Sequence, residues 1–230
     1  MTEQEWLTAT GPGGMIDFAR ESASKRKMRL FTCACCRQVL NPFAPSGAAR
    51  SLNAAEAFAD GEISAATLEQ VRAAVARAFA GASDDAARTG SGYLMHLSEA
   101  CGSACWPGNG AETVADAALA TARAAADIPW PATGARPPEF ADELANQTDL
   151  LRDIFGNPFR SVEFHLEWFT SDVLLLARGV YADRAFDRMP ILADALQDAG
   201  CDDEDILTHC REPREHARGC WVVDLLLGKK

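Results

Sequence analysis

The chain lacks any apolar run of the roughly 18 residues needed to cross a bilayer. Its opening, Met1-Thr2-Glu3-Gln4-Glu5-Trp6, is acidic and carries no apolar leader segment. Both absences point to a cytoplasmic protein with no membrane partner. β-Branched residues are comparatively few, which argues against strands. There is no G-x-S-x-G, no H-E-x-x-H and no EF-hand loop, so the hydrolase, metalloprotease and calcium-sensor classes have no signature to rest on. Gly11-Pro12-Gly13-Gly14 is glycine-rich, but without a strand before it or a Lys-Ser/Thr after it, it is a breaker rather than a phosphate loop. No internal repeat is evident.

What is present reads as an all-α protein. Alanine, the best helix former, is abundant between Ala44 and Ala126. The 230 residues suffice for one large domain or two small ones with a real core. The formal net charge is −11, with −3 before residue 131 and −8 after it. Such a surface repels phosphate backbones and anionic lipids, so protein is a better expected partner than nucleic acid.

Punctuation along the chain predicts about eight to ten helices. Thr2 with Glu5 forms a capping-box pattern. Ser24 is placed to cap a helix over Lys25–Leu40, ended by Asn41-Pro42, and Ser64 a helix whose Leu68, Val71, Val75 and Phe79 share one face. Residues 48–59, parts of 84–105, and 111–126 also read as helical. Ile128 to Pro138 contains four prolines and is the best candidate linker. It divides an alanine-rich helical region, 1–127, from a C-terminal helical module, 139–230, unless the whole is one compact unit. In the C-terminal part, residues 139–154 and 170–181 read as helices. Pro190 fits a first turn and Gly200 an end. Asp202-Asp203-Glu204-Asp205 places acids at the positive end of a helix dipole. A last helix is expected from His216 to Leu227, closed by Gly228.

Two ends of the sequence carry longer motifs: Glu5-Trp6-Leu7 and RKMRLFTCACCR (Arg26–Arg37) at one, LLRDIFGNPFR (Leu150–Arg160), RAFDRMPILADALQDAGCDDEDILTHCR (Arg184–Arg211) and HARGCWVVDLLLGK (His216–Lys229) at the other. They resemble a recurrent bacterial family without an assigned activity, over about half the chain. The resemblance implies a shared fold and ends that pack together, and it implies no mechanism.

Among eight cysteines and four histidines, one group stands out. Cys201, His209, His216 and Cys220 lie close in sequence, and four Cys or His donors are the usual holders of tetrahedral zinc. His216 and Cys220 are spaced i, i+4, so on a helix they face one side, and Pro213 turns the chain toward His209. Cys201 must fold back to join them, since its separation from His209 is roughly 12 Å along a helix. The alternative is that the cysteines are small core residues and the histidines bond to helix-end carbonyls. A second group, Cys33, Cys35 and Cys36 with Cys101 and Cys105, reads more readily as an apolar helix face. The basic run Lys25 to Arg29 reads as a solvated face, Phe159 as a core residue, and the five tryptophans as anchors of helix packing.

The expected function is a non-enzymatic interaction or regulatory module with zinc as its one candidate cofactor. The alternative is a metal- or thiol-dependent enzyme that uses the same Cys/His cluster.

Overall fold

A computed structural model describes residues 1–41, 44–81, 84, 88, 91–108, 111–127, 140–162 and 165–230. The protein is 70% helical and, among the described residues, has no strand. Twelve α-helices are described, ten of them seven residues or longer. They are α1 (Glu3–Thr8), α2 (Gly13–Ala19), α3 (Lys25–Gln38), α4 (Ser46–Ala59), α5 (Ala65–Ala78), α6 (Tyr93–Ala104), α7 (Ala111–Ala126), α8 (Phe140–Phe155), α9 (Ser171–Asp183), α10 (Met189–Asp198), α11 (Glu204–Arg211) and α12 (Trp221–Leu226). The Pro-rich stretch 128–138 lies outside the described residues.

Side-chain caps set many of the boundaries. Thr2 and Glu5 close a reciprocal capping box on α1. Ser24, Ser64, Thr170 and Asp203 each accept the third-residue amide of the helix that follows. Pro190 sits in the first turn of α10, and Gly200 follows α10 in the left-handed conformation, φ +88°.

Three apolar clusters run through the molecule. One joins α3 to α4, α5, α6 and α7 through Cys33, Leu52, Leu68, Leu97 and Ala124. A second joins α1 and α2 to the other face of α3, to α7 and to α8, through Trp6, Phe31, Val114, Leu151 and Ile154. The third is built by α9 to α12 around Val180, Leu192, Ile206 and Val223. Helix α3 therefore has neighbours on all sides. Helix α8 packs against α2, α3 and α7 on one side and against α12 on the other. It is one of the elements through which the C-terminal helices reach the N-terminal ones.

The basic run at the start of α3 turns inward, contrary to its reading as a solvated face. Arg29 is buried and donates to Ala104 O at 2.5 Å and Trp106 O at 2.9 Å. Lys27 Nζ donates to Ile154 O at 2.6 Å. Each cation thus sits on the carbonyl end of another helix, α6 or α8, where the dipole is negative. Arg26 forks onto Asp224 at 2.6 and 2.9 Å and reaches Asp60 at 2.8 Å. The start of α3 is in this way bonded to α12.

Two aromatic expectations are also corrected. Phe159 is exposed rather than in the core, because the loop after α8 turns outward to dock on α1: Asn157 and Arg160 both donate to Glu3, and the Phe159 ring stacks on Phe18. Trp106 is half exposed, its ring covered by the Arg72 guanidinium at 5.0 Å. Trp6 and Trp168 are buried.

Candidate metal centre

Four side chains with metal-ligating atoms meet where α8, α11 and the segment before α12 come together. They are Asp153, His209, His216 and Cys220, with donor atoms all within 4.8 Å of one another. Among the described residues this is the one such group of three or more. Side-chain exposure is 0% for Asp153, 6% for His209 and 3% for His216, and Cys220 is fully buried.

Each residue arrives by a separate local device. Asp153 lies in the last turns of α8, between the buried Leu150, Leu151 and Ile154. The apolar stripe that packs α8 against α3 carries the carboxylate inside with it. His209 is in the last turn of α11, whose start is fixed by the Asp203 cap. His216 belongs to an irregular segment rather than a helix. The expected helix over 216–227 begins only at Trp221, because Gly219 takes φ +96°, and its backbone lies so close to Leu30 that a Cβ there would meet that side chain at 3.1 Å. A turn closed by Cys220 N donating to Ala217 O at 2.9 Å brings His216 and Cys220 to the same side by another route. Cys220 immediately precedes α12.

The connections among the four converge on one point. His216 Nδ1 is 2.6 Å from Asp153 Oδ1, and His209 Nε2 is 3.2 Å from the same oxygen. His209 Nε2 is also 3.2 Å from Cys220 Sγ, and His216 Nδ1 is 4.0 Å from it. A relay triad uses opposite nitrogens of its histidine, one toward the acid and one toward the nucleophile. Here each imidazole turns a single nitrogen toward both the acid and the thiol. Ligands around an ion converge in the same way, so the four could hold one. Zinc bonds of about 2.0–2.3 Å imply tetrahedron edges of roughly 3.3–3.6 Å; the two 3.2 Å separations approach that, while those of 2.6 and 4.0 Å lie on either side of it. The second Asp153 oxygen accepts from Ala217 N at 2.8 Å, which fixes the carboxylate and the His216 segment together.

Burial would raise the Asp153 carboxyl, but hydrogen bonds from His209 and His216 hold it down at about 2. Burial lowers the pKa of His209, with Asp153 opposing, which favours the neutral, ligating imidazole. Burial and the Asp153 charge push the Cys220 thiol well above its ordinary range. A buried thiol of that kind is a poor free nucleophile, and a metal cation is the partner that would deprotonate it.

Of the four residues selected from sequence, His209, His216 and Cys220 are brought together and Cys201 is not. Cys201 follows α10, its N–H bonded to Leu196 O at 2.9 Å, and packs with Ile206 and Cys210 in the C-terminal cluster. It does not fold back toward His209, because the Gly200 turn sends its side chain into that cluster. Its place is taken by Asp153, which the sequence reading passed over. The signal for Asp153 was an acid inside the apolar stripe of α8. Cys33, Cys36, Cys101 and Cys105 are buried in the first apolar cluster and Cys35 in the second, with no four-ligand group among them.

No family model, curated protein or solved structure matches the chain. No helix among the described residues is long and apolar enough to cross a membrane.

Proposed function

We propose that the protein is a non-enzymatic helical module whose C-terminal helices are tied to α8 by a structural zinc ion on Asp153, His209, His216 and Cys220, and that its business is interaction with another protein. The observation that carries the zinc is the convergence of one nitrogen from each histidine, one carboxylate oxygen and one thiol on a single buried point. Mixed nitrogen, oxygen and sulfur donors in four-fold array suit zinc better than magnesium or calcium. Four protein donors complete a tetrahedron, as in structural sites, whereas catalytic zinc keeps a position for water. Burial of all four favours the same reading.

The test is metal analysis by plasma mass spectrometry of untagged protein purified without chelator. About one zinc per chain is expected, lost in Cys220→Ser and Asp153→Ala and retained in Cys201→Ser. Metal far below stoichiometry in fresh wild-type protein refutes the zinc reading.

A second reading, a metal-dependent enzyme, has one observation in its favour. His209 forms part of the wall of a cleft of about 580 Å³ between α1, α8 and α11, shared with Trp6, Arg152, Arg214 and Trp221. An enzyme would need an exchangeable ligand on that side. Cobalt-substituted protein distinguishes the two: a visible spectrum unmoved by azide fits the closed site, and a spectrum that shifts with azide fits the enzyme.

A further inference from the structure

Three guanidinium groups gather on one buried carboxylate. Glu56 of α4 is 2% exposed. It takes Arg37 Nε at 2.7 Å, Arg184 Nη2, and Arg218 Nη1 at 3.8 Å. Sharing one acid sets the three cations beside one another. Burial lowers the pKa of Arg184; Glu56 opposes this, and the charges of Arg37 and Arg218 add to it. An anion drawn to the group relieves that crowding.

All three arginines line a cleft of about 340 Å³, and their side chains keep 26%, 32% and 16% of their surface open. Their donors are only partly used. Arg37 gives Nε to Glu56 and Nη2 to Asn53, and Arg184 gives Nη2 to the same two acceptors. The Nη1 group of each meets no acceptor among the described residues, and neither is sealed from solvent. The carboxylates on the lining are Glu56 and Glu215. Three guanidinium charges against two carboxylates leave one positive charge over. His216 is also on the lining, but it faces Asp153, which answers any charge it carries. The rest of the wall is apolar: Leu30, Ala34, Leu150, Phe186 and Ala217.

We propose that this cleft binds a small organic acid, its single carboxylate on Arg37 and Arg184 and its apolar body against Leu30, Leu150 and Phe186. One leftover positive charge matches a monocarboxylate better than a dianion. The planar guanidinium fits the planar carboxylate through parallel N–H donors, as Glu56 already shows on the same cluster. The volume lies at the low end for small-molecule sites, which suits a body of about one ring. The inference does not rest on the zinc reading, since none of its donors is a metal ligand.

The experiment is isothermal titration of the full chain with benzoate, benzamide, acetate and inorganic phosphate. Benzoate is expected to bind about tenfold or more tightly than benzamide, which lacks the charge, and than acetate, which lacks the body. Arg184 takes φ 52°, so Arg184→Gly removes the guanidinium at a position whose backbone suits glycine. It is expected to weaken benzoate about tenfold and to leave benzamide unchanged. Arg184→Lys keeps the charge without the fork and is expected to lose less; circular dichroism checks that both variants fold. Benzamide bound as tightly as benzoate, or benzoate unaffected by both variants, overturns the proposal. Phosphate bound more tightly than benzoate overturns the carboxylate assignment. Zinc is measured in the same samples: zinc-loaded protein that binds no benzoate overturns the cleft and leaves the metal reading intact.

Discussion

Arg26 is the most informative single residue for the stability of the fold, because its guanidinium joins elements from opposite ends of the chain. It forks onto Asp224 of α12, reaches Asp60 after α4, and donates to Tyr181 of α9 at 2.8 Å. The side chains of Asp60 and Asp224 are each 1% exposed. Arg26→Met would leave both carboxylates inside with fewer partners. Removing one partner of a buried pair costs about 3–5 kcal/mol. Asp224 would keep Lys27 Nζ at 3.4 Å, and Asp60 would keep the Tyr181 hydroxyl and Lys229 Nζ at 3.2 Å. Those remaining contacts place the expected loss at the lower end, about 3 kcal/mol. Arg26→Lys keeps the charge but not the fork, and about 1–2 kcal/mol is expected for the lost charged hydrogen bonds.

The assay is urea unfolding followed by far-ultraviolet circular dichroism, with zinc content held equal in all variants. Arg26→Met, Asp224→Asn and the double variant form a cycle. The double variant is expected to cost about 2 kcal/mol less than the two single losses combined, since Asn at 224 no longer leaves a buried charge. A loss below about 1 kcal/mol in Arg26→Met, the range of exposed ion pairs, would refute the buried network and the tie between α3 and α12.

Three further predictions follow from particular residues. Burial raises the Glu143 carboxyl from its ordinary value to about 7. The folded form holds its proton more tightly than the unfolded one, so stability falls as pH rises from about 4.5 to about 7, by roughly 3 kcal/mol in all. Glu143→Gln, which keeps the oxygen that Gln147 donates to, should unfold at higher urea than wild type at pH 8 and at nearly the same urea at pH 4. A gain independent of pH would contradict the assignment. On the proposed zinc reading, chelation should lower the melting temperature by about 10 °C where free zinc stands a thousandfold above its dissociation constant, worth about 4 kcal/mol. Scanning calorimetry should show this fall in Cys201→Ser and none in Cys220→Ser. Gly219→Ala sets a Cβ against Leu30 at φ +96° and is expected to cost about 2 kcal/mol or more, with weaker zinc retention through the displaced His216–Cys220 segment.

The helices were legible where the chain punctuates itself. Thr2, Ser24, Ser64 and Gly200 each act through one side chain or one dihedral at a fixed offset, and such signals survive without knowledge of tertiary structure. The end of the chain was not legible in the same way. An i, i+4 spacing of His216 and Cys220 has the same appearance on a helix and across a turn, and only the approach of Gly219 to Leu30 selects the turn. The fourth donor was hidden for a different reason. Ligand spacing looks for neighbours in sequence, and Asp153 comes from a helix far upstream.

The physical rule that would have found it concerns burial rather than motif. A carboxylate within the apolar stripe of an amphipathic helix must be paired or coordinated, because an isolated buried charge is too costly to keep. Asp153 lies in such a stripe beside Leu150, Leu151 and Ile154, and Arg29 lies in another beside Leu30 and Cys33. In the sequence Arg29 reads as part of a solvated basic face, and Asp153 is not singled out. Each instead marks a place where a distant segment must supply the partner: the α6 carbonyls for Arg29, and two histidines for Asp153. Two histidines that share one acid already stabilise it as hydrogen-bond donors. The thiol beside them has no comparable charged partner, and burial beside Asp153 opposes its ionisation. Of the four, Cys220 is therefore the residue whose presence hydrogen bonding explains least and a cation explains best. That makes Cys220→Ser, read by metal content, the sharpest single substitution at the site.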